Sequence, residues 1–245
     1  MNRLKMSFGV LAISLPILVA CSKSGANGGE RGSHPAENNV MPETPAAIQP
    51  AGAGFLYNFD DDVVAKLPAK FHDALTGQGA KGNWVVKPDP SAPSQPNVLA
   101  QTSADKTDYR FPLAIADDGS FQNLEMSVNF LLVAGEVDRA AGMVFRLRDA
   151  NNYYIVRANS LEGNYQLYRV VNGRRVQFAG ANVNVTSGEW HELAVECVGN
   201  HITCYYDGVR KIDATDETFK EAGKIGLWTK ADSVTYFDDL RVSAK

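Results

Sequence analysis

The sequence predicts an all-β domain built as an antiparallel two-sheet sandwich, and three observations carry that prediction. From Gly54 onward, short runs of alternating apolar and polar residues recur between Gly, Asn and Asp turns, and a period of two marks half-buried strands. Helical periodicity is almost absent over the same stretch. About fourteen such runs fit into it, and strands in that number bury their apolar faces by stacking as two sheets.

Composition sets the outer bounds. Of the 245 residues, 44% are hydrophobic and 21% charged, a globular balance that excludes a disordered or multispan membrane chain. A formal net charge of −4 leaves no basic footprint for a phosphate backbone, so nucleic acid is not an expected partner.

Residues 1–20 read as an export signal. Arg3 and Lys5 precede a largely apolar run from Met6 to Ala20 that is short for a spanning helix and contains Pro16. Leu18-Val19-Ala20-Cys21 resembles the lipobox of bacterial lipoproteins, in which the cysteine thiol takes a diacylglyceryl group and becomes the new N-terminus. The resemblance implies lipidation at Cys21, and Ser22 after it implies sorting to the outer membrane of a Gram-negative cell. Residues 21–52, rich in Ser, Gly, Asn, Pro and Ala, hold almost no large apolar side chain and are expected to tether the lipid to a domain over 53–245.

In chain order the expected strands are 54–59, 83–87, 97–102, 108–114, 123–133, 141–148, 153–159, 165–171 and 175–179, then 189–198, 201–207, 210–214, 224–230 and 233–243. Between the second and third, prolines 88, 90, 93 and 96 cannot donate to a ladder, so this stretch is expected to be a loop. Gly199-Asn200 and Asp207-Gly208 supply the positive φ of hairpin ends. With a two-residue turn, Cys197 faces Ile202 and Cys204 faces Val195, so the thiols are diagonal neighbours and read as two buried apolar side chains, with a disulfide, which export would permit, as the alternative.

The hairpin 141–171 carries the candidate ligand face. A turn at 149–152 puts Met143, Phe145 and Leu147 on the core side with Tyr154, Val156 and Ala158. The opposite face then carries Arg146, Arg148, Tyr153, Arg157 and Asn159, and a turn through 161–164 adds Gln166 and Tyr168 while turning Arg169 inward. Guanidinium forks bond vicinal hydroxyls or carboxylates in pairs, and aromatic rings stack on the apolar face of a sugar. Three arginines on one patch of an acidic protein favour an anionic or uronate-bearing glycan; a solvated sheet face with cross-strand Arg and Tyr pairs is the alternative. Trp228, outward where Ile225 and Leu227 point inward, is a candidate stacking platform, with packing under the neighbouring loop as the alternative.

The segments GMVFRLRDANNYYIVR, NYQLYRVVNGRR, EWHELAVECVGNHITCYYDG and GKIGLWTKADSVTYFDDLRV, in that order, resemble the concanavalin A-like jelly roll of legume lectins, laminin-G modules and family 16 glycoside hydrolases. Within that group the chain is similar to bacterial laminin-G-like domains that resemble 3-keto-disaccharide hydrolases. The resemblance implies a ligand groove on a concave sheet. It also implies a structural calcium held by an acidic residue of the last strand, here Asp238, with backbone carbonyls near the N-terminus, where Asp60 and its neighbours Asp61 and Asp62 follow the first strand; carboxylates that cap turns or pair with Lys are the alternative. Family 16 enzymes carry a Glu-x-Asp-x-x-Glu pattern on one strand. Glu189, Glu192 and Glu196 lack the intervening Asp, no nucleophile elbow or phosphate loop occurs, and no two of His34, His72, His191 and His201 have metal-ligand spacing. His72 is expected in a loop. The expected function is therefore an outer-membrane lipoprotein with a carbohydrate-binding, lectin-like domain and no cofactor beyond calcium. A glycoside or 3-keto-disaccharide hydrolase and an envelope protein-interaction module are the alternatives.

Overall fold

The structure, a computed structural model, describes residues 51–245; the expected export signal, the expected lipidation at Cys21 and the expected tether up to residue 50 fall outside the described residues. Fifteen strands follow one another with no helix among the described residues. They are β1 (Gly54–Tyr57), β2 (Phe71–Gly77), β3 (Trp84–Pro88), β4 (Asn97–Gln101), β5 (Arg110–Ala116), β6 (Leu124–Ala134), β7 (Ala140–Asp149), β8 (Asn152–Asn159), β9 (Asn164–Val171), β10 (Arg174–Asn182), β11 (Trp190–Val198), β12 (His201–Tyr206), β13 (Val209–Thr215), β14 (Lys224–Trp228) and β15 (Val234–Ala244). One sheet runs β13-β12-β11-β6-β15-β4-β3, with β1 paired to the C-terminal half of β15. The other runs β10-β9-β8-β7-β14-β5-β2.

Fourteen of these strands fall where alternation predicts them. β2 does not, and His72, expected in a loop, lies within it. Its ladder to β5 runs from Phe71↔Ala116 to Gly77↔Arg110. As an edge strand with only Phe71 and Thr76 buried, FHDALTG has little apolar alternation to show.

The sheets pack face to face on a core in which Val128 and Phe130 of β6 meet Met143 and Phe145 of β7, Tyr154 and Val156 of β8, and Leu227 of β14. Each such side chain contributes roughly 1.5–3 kcal/mol by leaving water. Cys197 pairs with Ile202 and Cys204 with Val195, as the two-residue turn requires. Both thiols are free and buried; burial pushes Cys197 up to about 11 and Cys204 higher still, which leaves them inert as nucleophiles.

β7 departs from the expected register. Phe145 pairs with Tyr154 and Asp149 with Asn152, so two extra residues lie in β7 between these pairs. Arg146 opens this bulge with a φ of 46°, a left-handed conformation that reverses the alternation beyond it. Leu147 consequently leaves the inter-sheet core and joins Val144, Tyr153 and Ile155 on the other face.

That other face of the seven-stranded sheet is not the open surface that alternation implies. Phe111, Leu113, Ile115, Tyr153, Tyr168, Val170 and Trp228 form a second buried cluster on it. The sheet covers the face by curling over it. Arg175 on β10 sits 4.7 Å from the ring of Phe111 on β5, although the two strands stand five places apart, roughly 24 Å in a flat sheet. The closure is tied across the edges: the Tyr109 hydroxyl donates to Gly173 O at 2.8 Å and Thr76 donates to Ala150 O. The result, termed the trough, is a curled face whose aromatic rings lie buried beneath Arg175.

Candidate functional site

The trough is built on the β8–β9 hairpin, where Arg157 pairs with Gln166, Asn159 with Asn164 and Ile155 with Tyr168. This register is two residues from the expected one, a shift that preserves the face, so Arg157, Asn159, Gln166 and Tyr168 still share it. Arg169 is on the inner face, as expected, and exits at the strand end to pair with Asp216 at 2.5 Å.

Arg157 is the hub. Only 2% exposed, it donates from Nη1 to Asn164 Oδ1 at 2.5 Å and from Nη2 to Glu162 at 2.6 Å, Tyr168 Oη at 2.9 Å and Gln166 at 3.1 Å. Asn159 donates to Asp138 at 2.8 Å and holds the β8–β9 turn by accepting the N–H groups of Leu161 and Glu162. Lys230, from a loop, and Arg175, on β10, complete the network. Lys230 reaches Asp138 at 2.8 Å and Asp108 at 2.9 Å. Arg175 spreads over the rings of Tyr168, Phe111 and Trp228 at 4.5, 4.7 and 5.6 Å.

Environment sets the charges. Burial raises the pKa of the Asp138 carboxyl above its ordinary value, against the lowering pull of Lys230 and Arg157. Burial works the same way on Glu162, but the hydrogen bond and charge of Arg157 outweigh it, so that carboxylate is lowered. For Lys230 the two aspartates outweigh burial, and its pKa is raised. Burial lowers Arg175, helped by the positive charge of Arg157. The trough thus presents donors from Arg157, Arg175 and Lys230 beside acceptors on Gln166, Glu162 and Asp138.

Four expected site residues lie elsewhere or serve otherwise. Arg146 is 1% exposed and donates to the carbonyls of Gln122, Phe219 and Gly199 at 2.7, 2.8 and 2.6 Å. The bulge turns it off the ligand face, with its fork fully engaged. Arg148 is exposed but lies 5.2 Å over the Phe219 ring, at the end of β7 away from Arg157. Tyr153 faces the trough as expected, yet it is fully buried and bonded to Thr76 Oγ1 at 2.7 Å. Trp228 is on the expected face but is floor, not platform: fully buried, it stacks on Phe111 with centroids 5.4 Å apart. Conversely, Arg175 was legible in principle, because the Asn172-Gly173 turn sets Gln177 opposite Tyr168 and so puts Arg175 on the same face. Asp138 and Lys230 come from loops, where periodicity carries no signal.

The groups around Asp60 and Asp238 bear on the expected calcium. Asp60 accepts from Asn97 N at 3.1 Å and Asn58 Nδ2 at 2.8 Å. Asp238 accepts from Ser94 N and Asp239 N at 2.8 and 2.7 Å and from the Ser94 hydroxyl at 3.0 Å. A calcium shell is made of oxygen acceptors, and these carboxylates face donors instead. No group of three His, Cys, Asp or Glu able to hold a metal gathers among the described residues. The arrangement does not fit the expected calcium.

Asp238 has a different consequence. Burial, with the charge of Asp239 adding to it, pushes its carboxyl from 3.8 up to about 6, against the pull of the Ser94 and Asp239 donors. Between these values the folded chain keeps a proton that the unfolded chain has lost, so stability falls as pH rises through that window. Melting temperatures measured from pH 4 to pH 7 are expected to show this decline in the parent chain and to lose it in Asp238→Asn.

Comparison with known proteins follows the fold. No curated protein matches the chain. Among solved structures, the carbohydrate-binding module CBM66 from Bacillus subtilis is similar at a TM-score of 0.55 and 19% identity, over 70% of this chain and 94% of that one. A Bacillus subtilis protein of unknown function with a galectin-like fold matches at 0.55 and 10% identity, over 79% of this chain and 97% of that one. A structure described as a native glycosidic hydrolase matches at 0.53 and 15% identity, over 81% and 97%. These likenesses show a concanavalin A-like jelly-roll sandwich. A family model, that of the 3-keto-alpha-glucoside-1,2-lyase-like domain, matches residues 78–243, from the end of β2 through most of β15 and including the whole β7–β10 hairpin system of the trough. The chain therefore belongs to the 3-keto-alpha-glucoside-1,2-lyase-like domain family.

Proposed function

We propose that the chain is a carbohydrate-binding lipoprotein of the outer membrane, and that the sugar lies in the trough of the seven-stranded sheet. One observation carries the reading. Two donors at the centre of the trough, Arg157 Nε and Arg175 Nη1, are among the buried side-chain polar atoms left without a partner among the described residues. Such atoms destabilise a fold unless something answers them, and a polyhydroxylated ligand offers both acceptors and donors above an aromatic floor. The name of CBM66 as a carbohydrate-binding module and the glucoside in the family description support the same ligand class. Anchoring rests on Leu18-Val19-Ala20-Cys21 and the following Ser22.

The test is a glycan screen of the full chain followed by titration calorimetry on the best binder. Arg157→Gln is expected to weaken binding by about a hundredfold, in line with the loss of a charged hydrogen-bonding hub, while Arg148→Ala leaves it unchanged. Equal affinity in the parent and Arg157→Gln, or no glycan bound at all, would overturn the reading.

A second reading, a lyase or hydrolase acting on the bound sugar, is favoured by Asp138. Its buried carboxyl has a raised pKa and stands 2.8 Å from the Lys230 ammonium, a pair able to take a proton and return it. Turnover of a 3-keto-disaccharide by the parent chain and its loss in Asp138→Asn is the expected outcome on this reading.

A further inference from the structure

Arg175 is a largely buried cation with no anion to answer it. Arg157 has Glu162 at 2.6 Å, and Lys230 is shared between Asp138 and Asp108. Arg175 has no ion-pair partner among the described residues; its neighbours are the faces of Phe111, Tyr168 and Trp228. Stacking engages the flat faces of a guanidinium and leaves its in-plane N–H groups unused. Here Nη1 is buried and unpartnered.

A second unused donor lies close by. Both guanidinium carbons are near the same Tyr168 ring, Arg175 at 4.5 Å and Arg157 at 5.6 Å. The two Nη atoms of Arg157 are committed to Asn164, Glu162, Gln166 and Tyr168, and its Nε is buried without a partner. Glu162, Asp138 and Asp108 match the three cations of the trough in number, but of these cations Arg175 alone has no carboxylate at ion-pair distance among the described residues. A neutral hydroxyl answers the hydrogen bonds but not the charge. A carboxylate answers both, because its two oxygens accept from two N–H groups and its charge offsets the burial of Arg175.

We propose that the trough selects an acidic sugar, with the carboxylate of a uronic acid held between Arg157 and Arg175. The inference rests on the carbohydrate reading and narrows it. It keeps Arg157 in the acid-binding role that the sequence suggested and puts Arg175 in the place of Arg146 and Arg148. Glu162, 45% exposed on the β8–β9 turn, forms the rim on the far side of Arg157 and repels a carboxylate that docks out of place.

The probe is a matched pair of polymers: polygalacturonate, and the same polymer with its carboxyls reduced to primary alcohols. Affinity electrophoresis and calorimetry on the full chain are expected to show the acidic polymer bound at least about tenfold more tightly, a gap of roughly 1.4 kcal/mol. Arg175→Gln is expected to bring the acidic polymer down to the level of the reduced one. Arg175→Lys, which keeps the charge without the fork, is expected to retain part of the preference, and it serves as the control should Arg175→Gln fail to fold. Equal binding of the two polymers, or a preference that survives in Arg175→Gln, overturns the acidic-sugar inference and leaves the carbohydrate reading standing. No binding to either polymer while neutral glycans still bind has the same effect, and no binding to any glycan sinks both.

Discussion

Arg146→Ala is expected to destabilise the domain by about 2–4 kcal/mol, because it strips three backbone carbonyls, that of Phe219 fully buried, of a charged donor at once. The carbonyls of Gln122, Phe219 and Gly199 belong to three separate connections, those before β6, before β14 and between β11 and β12. One guanidinium therefore ties together the end of the sandwich from which β6, β12 and β14 depart. Lysine has no fork and meets these acceptors incompletely, so Arg146→Lys is expected to recover only part of the loss. The left-handed φ of 46° adds a second, separable effect. Glycine adopts that conformation freely, so Arg146→Gly is expected to be less destabilised than Arg146→Ala by about 1 kcal/mol, although both lose the fork. Urea unfolding of the three variants measures both effects. A loss below about 1 kcal/mol in Arg146→Ala would show that water replaces the guanidinium at these carbonyls.

The same residue marks where the sequence stopped being legible. Alternation places Met143, Phe145, Tyr154 and Val156 in the core, and the structure agrees. It then assigns Leu147 to that core and Arg146 to the ligand face, and both are reversed by the bulge. The reversal needs a left-handed residue in mid-strand, a role the sequence advertises through Gly or Asn and here gives to an arginine. In β8 and β9 no bulge intervenes, and Arg157, Gln166 and Tyr168 reach the expected face even though the pairing is displaced by two residues. A displacement by an even number leaves every side chain on its side of the sheet.

Periodicity also separates faces without saying what covers them. It distinguishes Trp228 from Ile225 and Leu227 correctly, since these two enter the inter-sheet core and Trp228 does not. Whether the second face is open depends on the curl of the sheet, which brings β10 over β5 and follows from long-range closure rather than from any local pattern. The trough residues that alternation missed divide accordingly. Arg175 is placed by strand register and Asp138 and Lys230 by loops, so only the first leaves a trace in the order of residues.

Trp228→Ala is expected to cost about 3–5 kcal/mol, the range for truncating a large buried aromatic side chain. In a domain of this size that lowers the melting temperature by about 6–20 °C. The ring is fully buried, stacked on Phe111 at an interplanar angle of 16°, with the guanidinium of Arg175 over both rings at 5.6 and 4.7 Å. Its own sheet is shaped to receive it. Gly142 lies directly opposite Trp228 on β7, and a Cβ there would come within 3.1 Å of the ring and 2.9 Å of Ile155. Gly142→Ala is accordingly expected to disturb the same packing from the other side, and the double variant to be less than additive because both changes act on one contact. Trp228→Phe keeps the apolar floor and is expected to recover most of the stability. An exposed sugar platform would behave in the opposite manner, losing affinity on truncation while the melting temperature held. Thermal melts of the single and double variants therefore separate the floor from the platform, and with it a trough that closes over its aromatic residues from a sheet that displays them.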